Sequence, residues 1–367
     1  MTEELSRTSA LASRHTELGS GLEDWNGMGT AWSYNTDPNN EHDAVREAAG
    51  MFDMSPLKKV FLRGADAAAV ANEVISRDIS KIAPGQSSYG VVLTEQGTVG
   101  DDAILSNNGN NEWLICHGSG CSMEMINASA AGKNVDVEFD DDLHNLSLQG
   151  PKALGLLDAH TPMGLDSLKY FEHSATELFG HQVRLSRTGY SGERGYEILA
   201  SASVIGDIWD QVLGHGADQG IMPASFTALD KVRIEAGLLF YGYDMSEEHS
   251  PWEVGLGFAM NRSSDYRGKT AAMATKGKER FHQAGISINH DDALVGGEVL
   301  LANGKEVGTI NSPGYSHRLG KSLALCHIAP EACAPGTQLE VQSDDFSGTA
   351  VVEALPFFDP SKSRTHA

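Results

Sequence analysis

The sequence predicts an α+β protein, antiparallel sheets covered by helices, followed by a small C-terminal β-barrel or sandwich. Three observations point there. Strand-like runs return in pairs across turn signals, as in residues 88–93, the turn Thr94-Glu95-Gln96-Gly97 and residues 98–105. Single helical stretches stand between such pairs up to about residue 270, which is not the regular β-α-β succession of a parallel sheet. From about Arg280 the helical pattern thins out, and short apolar runs are separated by Ala302-Asn303-Gly304 and Ser312-Pro313-Gly314.

Taken in order, residues 1–40 are polar and read as a loosely held N-terminal arm. Residues 41–49 form a helix with acids in its first turn, where the helix dipole favours them, and Gly50 ends it. Residues 59–64 read as a strand and 65–76 as a helix. The hairpin 88–105 follows, then a strand at 112–116 after the polar turn at 107–111. The polar stretch Lys276-Gly277-Lys278-Glu279-Arg280 divides an α+β region, 41–280, from a barrel domain, 281–367.

Composition excludes several classes. The chain has 367 residues and a formal charge of −23, so its average field repels phosphate backbones and anionic leaflets; neither a nucleic-acid nor a membrane partner is expected. Cys116, Cys121, Cys326 and Cys333 make no C-x-x-C pair, which argues for reduced thiols rather than a zinc or disulfide framework. The first twenty residues lack a signal-peptide core, and no apolar run reaches the roughly 18–20 residues of a membrane span, so a cytoplasmic protein is expected. No G-x-G-x-x-G, P-loop or G-x-S-x-G sequence is present. His42, His117, His249 and His317 are scattered without metal-site spacing, and no metal is expected.

Three segments carry candidate chemistry. Asp101-Asp102 lies on a strand, where neighbours point to opposite faces, so at most one faces a pocket; otherwise both solvate a strand edge. Residues 187–197, Arg-Thr-Gly-Tyr-Ser-Gly-Glu-Arg-Gly-Tyr-Glu, form a glycine-rich turn from which Tyr190 and Glu197 project. An aromatic ring beside a carboxylate suits a flat heterocycle with N–H donors, although a plain surface hairpin has the same signature. In residues 229–238, Asp230 and Arg233 fall at helical spacing; Arg233 either clamps a ligand carboxylate or forms a solvated pair.

Together these segments resemble the aminomethyltransferase family, that of the T-protein of the glycine cleavage system. The likeness runs from about Glu41 to Phe358: Glu41-His42 through Arg46, Ala49 to Ser55, Pro84-Gly85-Gln86 with Tyr89, Gly100-Asp101-Asp102, Leu148 to Lys152, residues 187–197, Arg233 to Gly237, and Gly308 to Ser316 with Gly320 to Leu325. The resemblance implies a three-domain cloverleaf, with 41–280 folded as two intertwined subdomains around an opening that binds tetrahydrofolate. It places Tyr89 and Tyr190 beside the folate, Glu197 on its pterin ring and Asp102 as the catalytic or orienting aspartate, with Asp101 as second choice. Arg233 would support the binding surface or the folate's glutamate tail.

Departures concern the one-carbon donor. His117-Gly118 stands where the T-protein pattern has Asn-Ala, Ser55-Pro56-Leu57-Lys58 replaces Ser-His-Met-Gly, and Ser106 and Leu229 replace a tyrosine and an arginine. The segments 240–244 and 250–256 look closer to the dimethylsulfoniopropionate demethylase branch. That favours a standalone methyltransferase acting on a small S-, N- or O-methyl donor. Trp32, Tyr34 and Trp252 would then box a cationic methyl group, with His117 near the donor. The alternatives are an aminomethyltransferase served by a lipoylated carrier protein, and a non-catalytic folate-binding protein of iron–sulfur maturation. The last is disfavoured because Asp265 to Lys269 lacks that branch's cysteine.

Overall fold

The computed structural model describes residues 5–367. Two large sheets and a closed barrel make three lobes, and Glu23–Trp25 and Met28–Thr30 pair as a separate two-stranded sheet. The first sheet has five antiparallel strands in the order Ser87–Leu93, Val99–Gly109, Glu112–His117, Lys58–Arg63 and Asp136–Phe139. Its outer face carries Val60, Leu62, Val92, Ala103 and Leu105 and is covered by the helices Ala67–Val74 and Ser122–Ala130.

The second sheet runs His173–Leu178, His181–Ser186, Gly195–Ser201, Leu143–Gln149, Gly50–Asp53 and Met222–Pro223, parallel only at the last pair. Leu146, Leu148, Tyr196 and Ile198 on its outer face lie under the helices Ala153–Asp158 and Ala202–Gly216. Side chains alternate along a strand, so the residues between these point inward. There Phe61 and Leu114 of the first sheet meet Leu199 of the second, which sets the two sheets inner face to inner face.

Six strands close the barrel: His282–Ile288, Lys321–Ile328, Lys305–Ser316, Val299–Ala302, Gln338–Gln342 and Ser347–Glu353. Closure removes the sheet edges, and Ile286, Leu300, Ile310, Val341 and Val352 fill the interior. The helix Phe226–Glu235 joins barrel to sheets; a Cβ on Gly314 would lie 3.1 Å from Ile234. Residues 239–272 wrap the tip of the first sheet, burying Met245, Val254 and Met260 against Val91, Leu93 and Val99. At that tip Gly97 has φ +78°, and a Cβ there would come within 2.1 Å of the Ala272 backbone nitrogen.

Three expectations are corrected. Residues 5–34 are not loosely held, and residues 1–4 lie outside the described residues: Leu11, His15 and Met28 are fully buried, and Arg7 donates to the Pro56 carbonyl at 2.7 Å. The sequence looks polar there because its partners are remote, with His15 lying 2.9 Å from Asp53. The first long helix is Pro38–Glu47, started by the Asp37 carboxylate on the Asn39 N–H and by proline in the first turn. Gly50 does not cap it; Gly50 opens a strand where a Cβ would come within 2.5 Å of Val45. Among the described residues, no helix is long and apolar enough to cross a membrane, and the four cysteines are unpaired.

Candidate functional site

A β-bulge decides which aspartate looks inward. Val92 pairs with Asp101 but Leu93 pairs with Val99, so Gly100 is an extra residue in its strand. Its carbonyl accepts from the Cys121 N–H at 2.9 Å, and a Cβ there would lie 2.4 Å from Cys121 Sγ. Beyond the bulge, Asp101 turns to the helix-covered outer face. Fully buried, it accepts from Ser122 Oγ at 2.6 Å and lies 3.0 Å from His117 Nδ1. Its hydrogen-bonding capacity is spent on anchoring the adjacent helix.

Asp102 points to the inner face with Tyr89, Ile104 and Cys116. Burial, then the neighbouring Asp101 charge, push its carboxyl from 3.8 up to about 7, against the opposing pull of the Tyr89 hydroxyl. Burial and the Asp102 charge in turn raise the Tyr89 hydroxyl. The Cys116 thiol is pushed up to about 12, first by burial and then by Glu197 on the facing sheet. Lys59, on the same inner face, is lowered to about 8 by burial while its Nζ donates to the Ser55 and Leu57 carbonyls, both at 2.7 Å. At the rim the exposed Phe258 ring stacks on Tyr89, centroids 6.1 Å apart.

The second sheet supplies the opposite wall. Glu197 accepts from Asn145 Nδ2 at 3.0 Å and from the Thr188 hydroxyl, while Asn145 Oδ1 is buried without a partner among the described residues. The loop 187–197 drapes over Gln149, whose side chain accepts from Ser191 Oγ at 2.8 Å and donates to the Thr188 carbonyl at 3.1 Å. A Cβ at Gly189 or Gly195 would lie within 2.0 or 2.2 Å of that side chain, so only glycine lets the loop lie so close. Tyr190 donates its hydroxyl to the Leu239 carbonyl and packs beside Phe240, which brings the segment 238–244 in as a third wall. Tyr89, Asp102 and Tyr190 therefore lie within electrostatic reach of one another, and Glu197 reaches Cys116 on the same inner face.

Of the other expected site residues, Arg233 supports the third wall and the rest lie elsewhere. Arg233 is buried: Nε donates to Asp230 at 2.7 Å, Nη1 to Asp244 at 2.7 Å and to the Leu238 carbonyl at 3.1 Å, and Nη2 to Ser312 at 2.8 Å. It clamps the third wall to the barrel rather than offering a fork to a ligand. His117 lies with Asp101 on the outer face. The expected aromatic box does not assemble. Tyr34 bonds His15 Nδ1 at 2.9 Å, Trp32 packs on Phe226 at 4.2 Å, and Trp252 donates to the Ala272 carbonyl at 2.7 Å. His42, Asp43 and His317 bring donor atoms within 4.8 Å of one another, but Arg318 Nη1 at 2.6 Å from Asp43 already places a positive charge there.

Sequence reasoning missed Asn145 and Lys59. The available signal was a polar residue at the position alternating with apolar ones: Asn145 against Leu146 and Leu148 within Leu143–Gln149, and Lys59 against Val60 and Leu62 within Lys58–Arg63.

Comparison with known proteins places the whole arrangement. A GCVT N-terminal domain matches residues 11–264, and a glycine cleavage T-protein C-terminal barrel domain matches residues 282–359. The chain is 43% identical to a heme-dependent oxidative N-demethylase gamma subunit of Ectopseudomonas mendocina, over 98% of each protein. It is 32% identical to an aminomethyltransferase of Saccharopolyspora erythraea, over 96% of this chain and 98% of that one. The crystal structure of the glycine cleavage system aminomethyltransferase T from Bartonella henselae superposes with a TM-score of 0.89 at 23% identity, covering 96% of this chain and 98% of that one.

Proposed function

Because this chain is an enzyme that belongs to the glycine cleavage T-protein family, we propose that it moves a one-carbon unit from a small N-methyl compound to tetrahydrofolate. Among S-, N- and O-methyl donors, the 43% identity to a protein named for N-demethylation favours nitrogen. The observation that carries the reading is Asp102, an inner-face carboxyl pushed up to about 7 opposite Tyr190 and Glu197. A carboxyl that titrates near neutrality both holds and releases a proton at working pH.

The opening fits the ligand's chemistry. The Glu197 carboxylate and the unpartnered Asn145 Oδ1 form an acceptor pair for the N–H edge of a pterin. Tyr89, Tyr190 and the rim ring of Phe258 offer flat apolar surface. Tetrahydrofolate supplies the nucleophilic nitrogen that takes up the carbon. The protein's part is to hold ring and donor together and to carry the proton at the Asp102 carboxyl as the donor nitrogen departs. The 32% identity to an aminomethyltransferase supports a second reading, in which the carbon arrives as an aminomethyl group on a lipoylated carrier protein.

The test is anaerobic incubation with tetrahydrofolate and either a panel of N-, S- and O-methyl donors or an aminomethyl-lipoyl carrier, with 5-methyl- and 5,10-methylene-tetrahydrofolate separated. 5-Methyl-tetrahydrofolate and the demethylated amine are expected from an N-methyl donor without carrier, since no oxidant is present to reach the methylene level. Product from the carrier alone selects the second reading, and folate binding with no product from any donor leaves only a binding protein.

A further inference from the structure

The loop 187–197 is held from below by residues far away in sequence. Arg364 sets its Nε 2.8 Å from both carboxylate oxygens of Glu193, and its Nη2 donates to the Arg46 carbonyl. Thr365 Oγ1 donates to the Gly192 carbonyl at 2.8 Å. In return Arg187 Nη2 and Arg194 Nη1 donate to the Ala367 carbonyl at 2.6 and 2.9 Å. Phe358 lies beneath two guanidinium groups, 4.4 Å from Arg46 and 5.4 Å from Arg364.

Charge explains what this contact does. Arg46 is buried between two buried carboxylates, 3.0 Å from Glu193 and 2.8 Å from Glu235. Glu235 also has His42 Nε2 at 2.9 Å, whereas the second basic group on Glu193 is Arg364. Without it, Glu193 would keep a half-paired charge out of water, which a folded protein relieves by opening the segment that carries it. The loop has little slack to absorb such a change. Gly192 has φ +76°, and a Cβ there would lie 2.9 Å from Ala236. Movement at Glu193 therefore passes to Tyr190 on one side and to the strand bearing Glu197 on the other.

We propose that residues 359–367 are a strap that sets the geometry of the folate-side loop, with Arg364 as its positioning residue. Arg364 acts through Glu193 and Gly192 on Tyr190 and Glu197. The inference rests on the reading of this loop as a wall of the folate site.

Wild type, Arg364→Ala and Arg364→Lys are compared in two measurements, with thermal melts confirming that each is folded. Amide hydrogen exchange without ligand is expected to quicken in residues 188–195 of Arg364→Ala by about tenfold, the worth of one charge-assisted contact. Fluorescence titration with tetrahydrofolate is expected to show about tenfold weaker binding in the same variant. Turnover at saturating folate stays within about twofold, because the loss is one of uniform binding. Arg364→Lys restores most of both properties by returning the charge. Wild-type exchange and affinity in Arg364→Ala would overturn the strap, and so would a lowered turnover number with unchanged affinity. A wild-type protein that ignores tetrahydrofolate overturns the folate reading instead, while the exchange data still decide whether the strap holds the loop.

Discussion

Two groups of buried charge lie on either side of the loop 187–197, and they are treated in opposite ways. Below it, Arg46, Glu193, Glu235 and Arg364 form a closed set. Burial alone would raise the Glu235 carboxyl, yet contacts from His42, Arg46 and Ser316 hold it down to about 2. Above it, no cation among the described residues pairs with Asp102, and burial together with Asp101 pushes it up to about 7. A paired carboxylate buried in a junction stabilises the fold as a permanent anion. An unpaired one facing an opening costs stability when charged and gains the ability to exchange a proton.

The largest expected effect breaks that contrast at its open end. Asp102→Asn lowers one-carbon transfer by about 10²–10⁴-fold, the usual contribution of a positioned proton carrier. It also removes an inflection near pH 7 from the kcat/KM profile. The linkage has a defined sign: this carboxyl is raised in the folded state, so its contribution is fully present below the ordinary value of 3.8 and is lost as pH rises through about 7. Chemical denaturation should therefore show Asp102→Asn more stable than wild type above pH 7, by at most roughly 4 kcal/mol. Wild-type turnover and an unchanged profile would remove Asp102 from the mechanism.

At the closed end, Arg233→Met leaves Asp244 buried without its partner and is expected to lose about 3–5 kcal/mol in urea unfolding. Unchanged stability with a weakened grip on folate would return Arg233 to the ligand. Glu197→Gln sharpens the comparison at the cofactor wall: folate affinity falls about ten- to a hundredfold, as for one charge-assisted hydrogen bond, while turnover at saturation changes little. The smallest effect is expected from Trp252→Phe, which loses the bond to the Ala272 carbonyl and about 1 kcal/mol of stability. A changed KM for the methyl donor in that variant would revive the aromatic box.

Much of the fold was legible because hairpin signals are local. Thr94-Glu95-Gln96-Gly97 and Ala302-Asn303-Gly304 mark their turns without reference to anything remote. Tyr89, Tyr190 and Glu197 were legible only as members of an ordered set of motifs. What stayed hidden depends on contacts made across the chain. Arg233 looks like a free fork until Asp244 and Ser312 are folded against it. His15 looks like a surface residue until Asp53 reaches it, and Trp252 looks available until Ala272 takes its N–H. The strand alone left the orientation of Asp101 and Asp102 open, and only the resemblance put Asp102 first: alternation along a strand can be counted only if the strand has no extra residue.

That extra residue, Gly100, bears on how such a protein can change through descent. A point substitution alters one side chain, whereas the bulge sets one whole residue outside the alternation: without Gly100, Leu93 would still pair with Val99 and Val92 with Asp101. Asp101 would stay under the helices and Asp102 on the inner face, and only the contact of the Gly100 carbonyl with the Cys121 N–H would be lost. A change of one residue in length is therefore absorbed at Gly100, and the two aspartates keep their opposite faces.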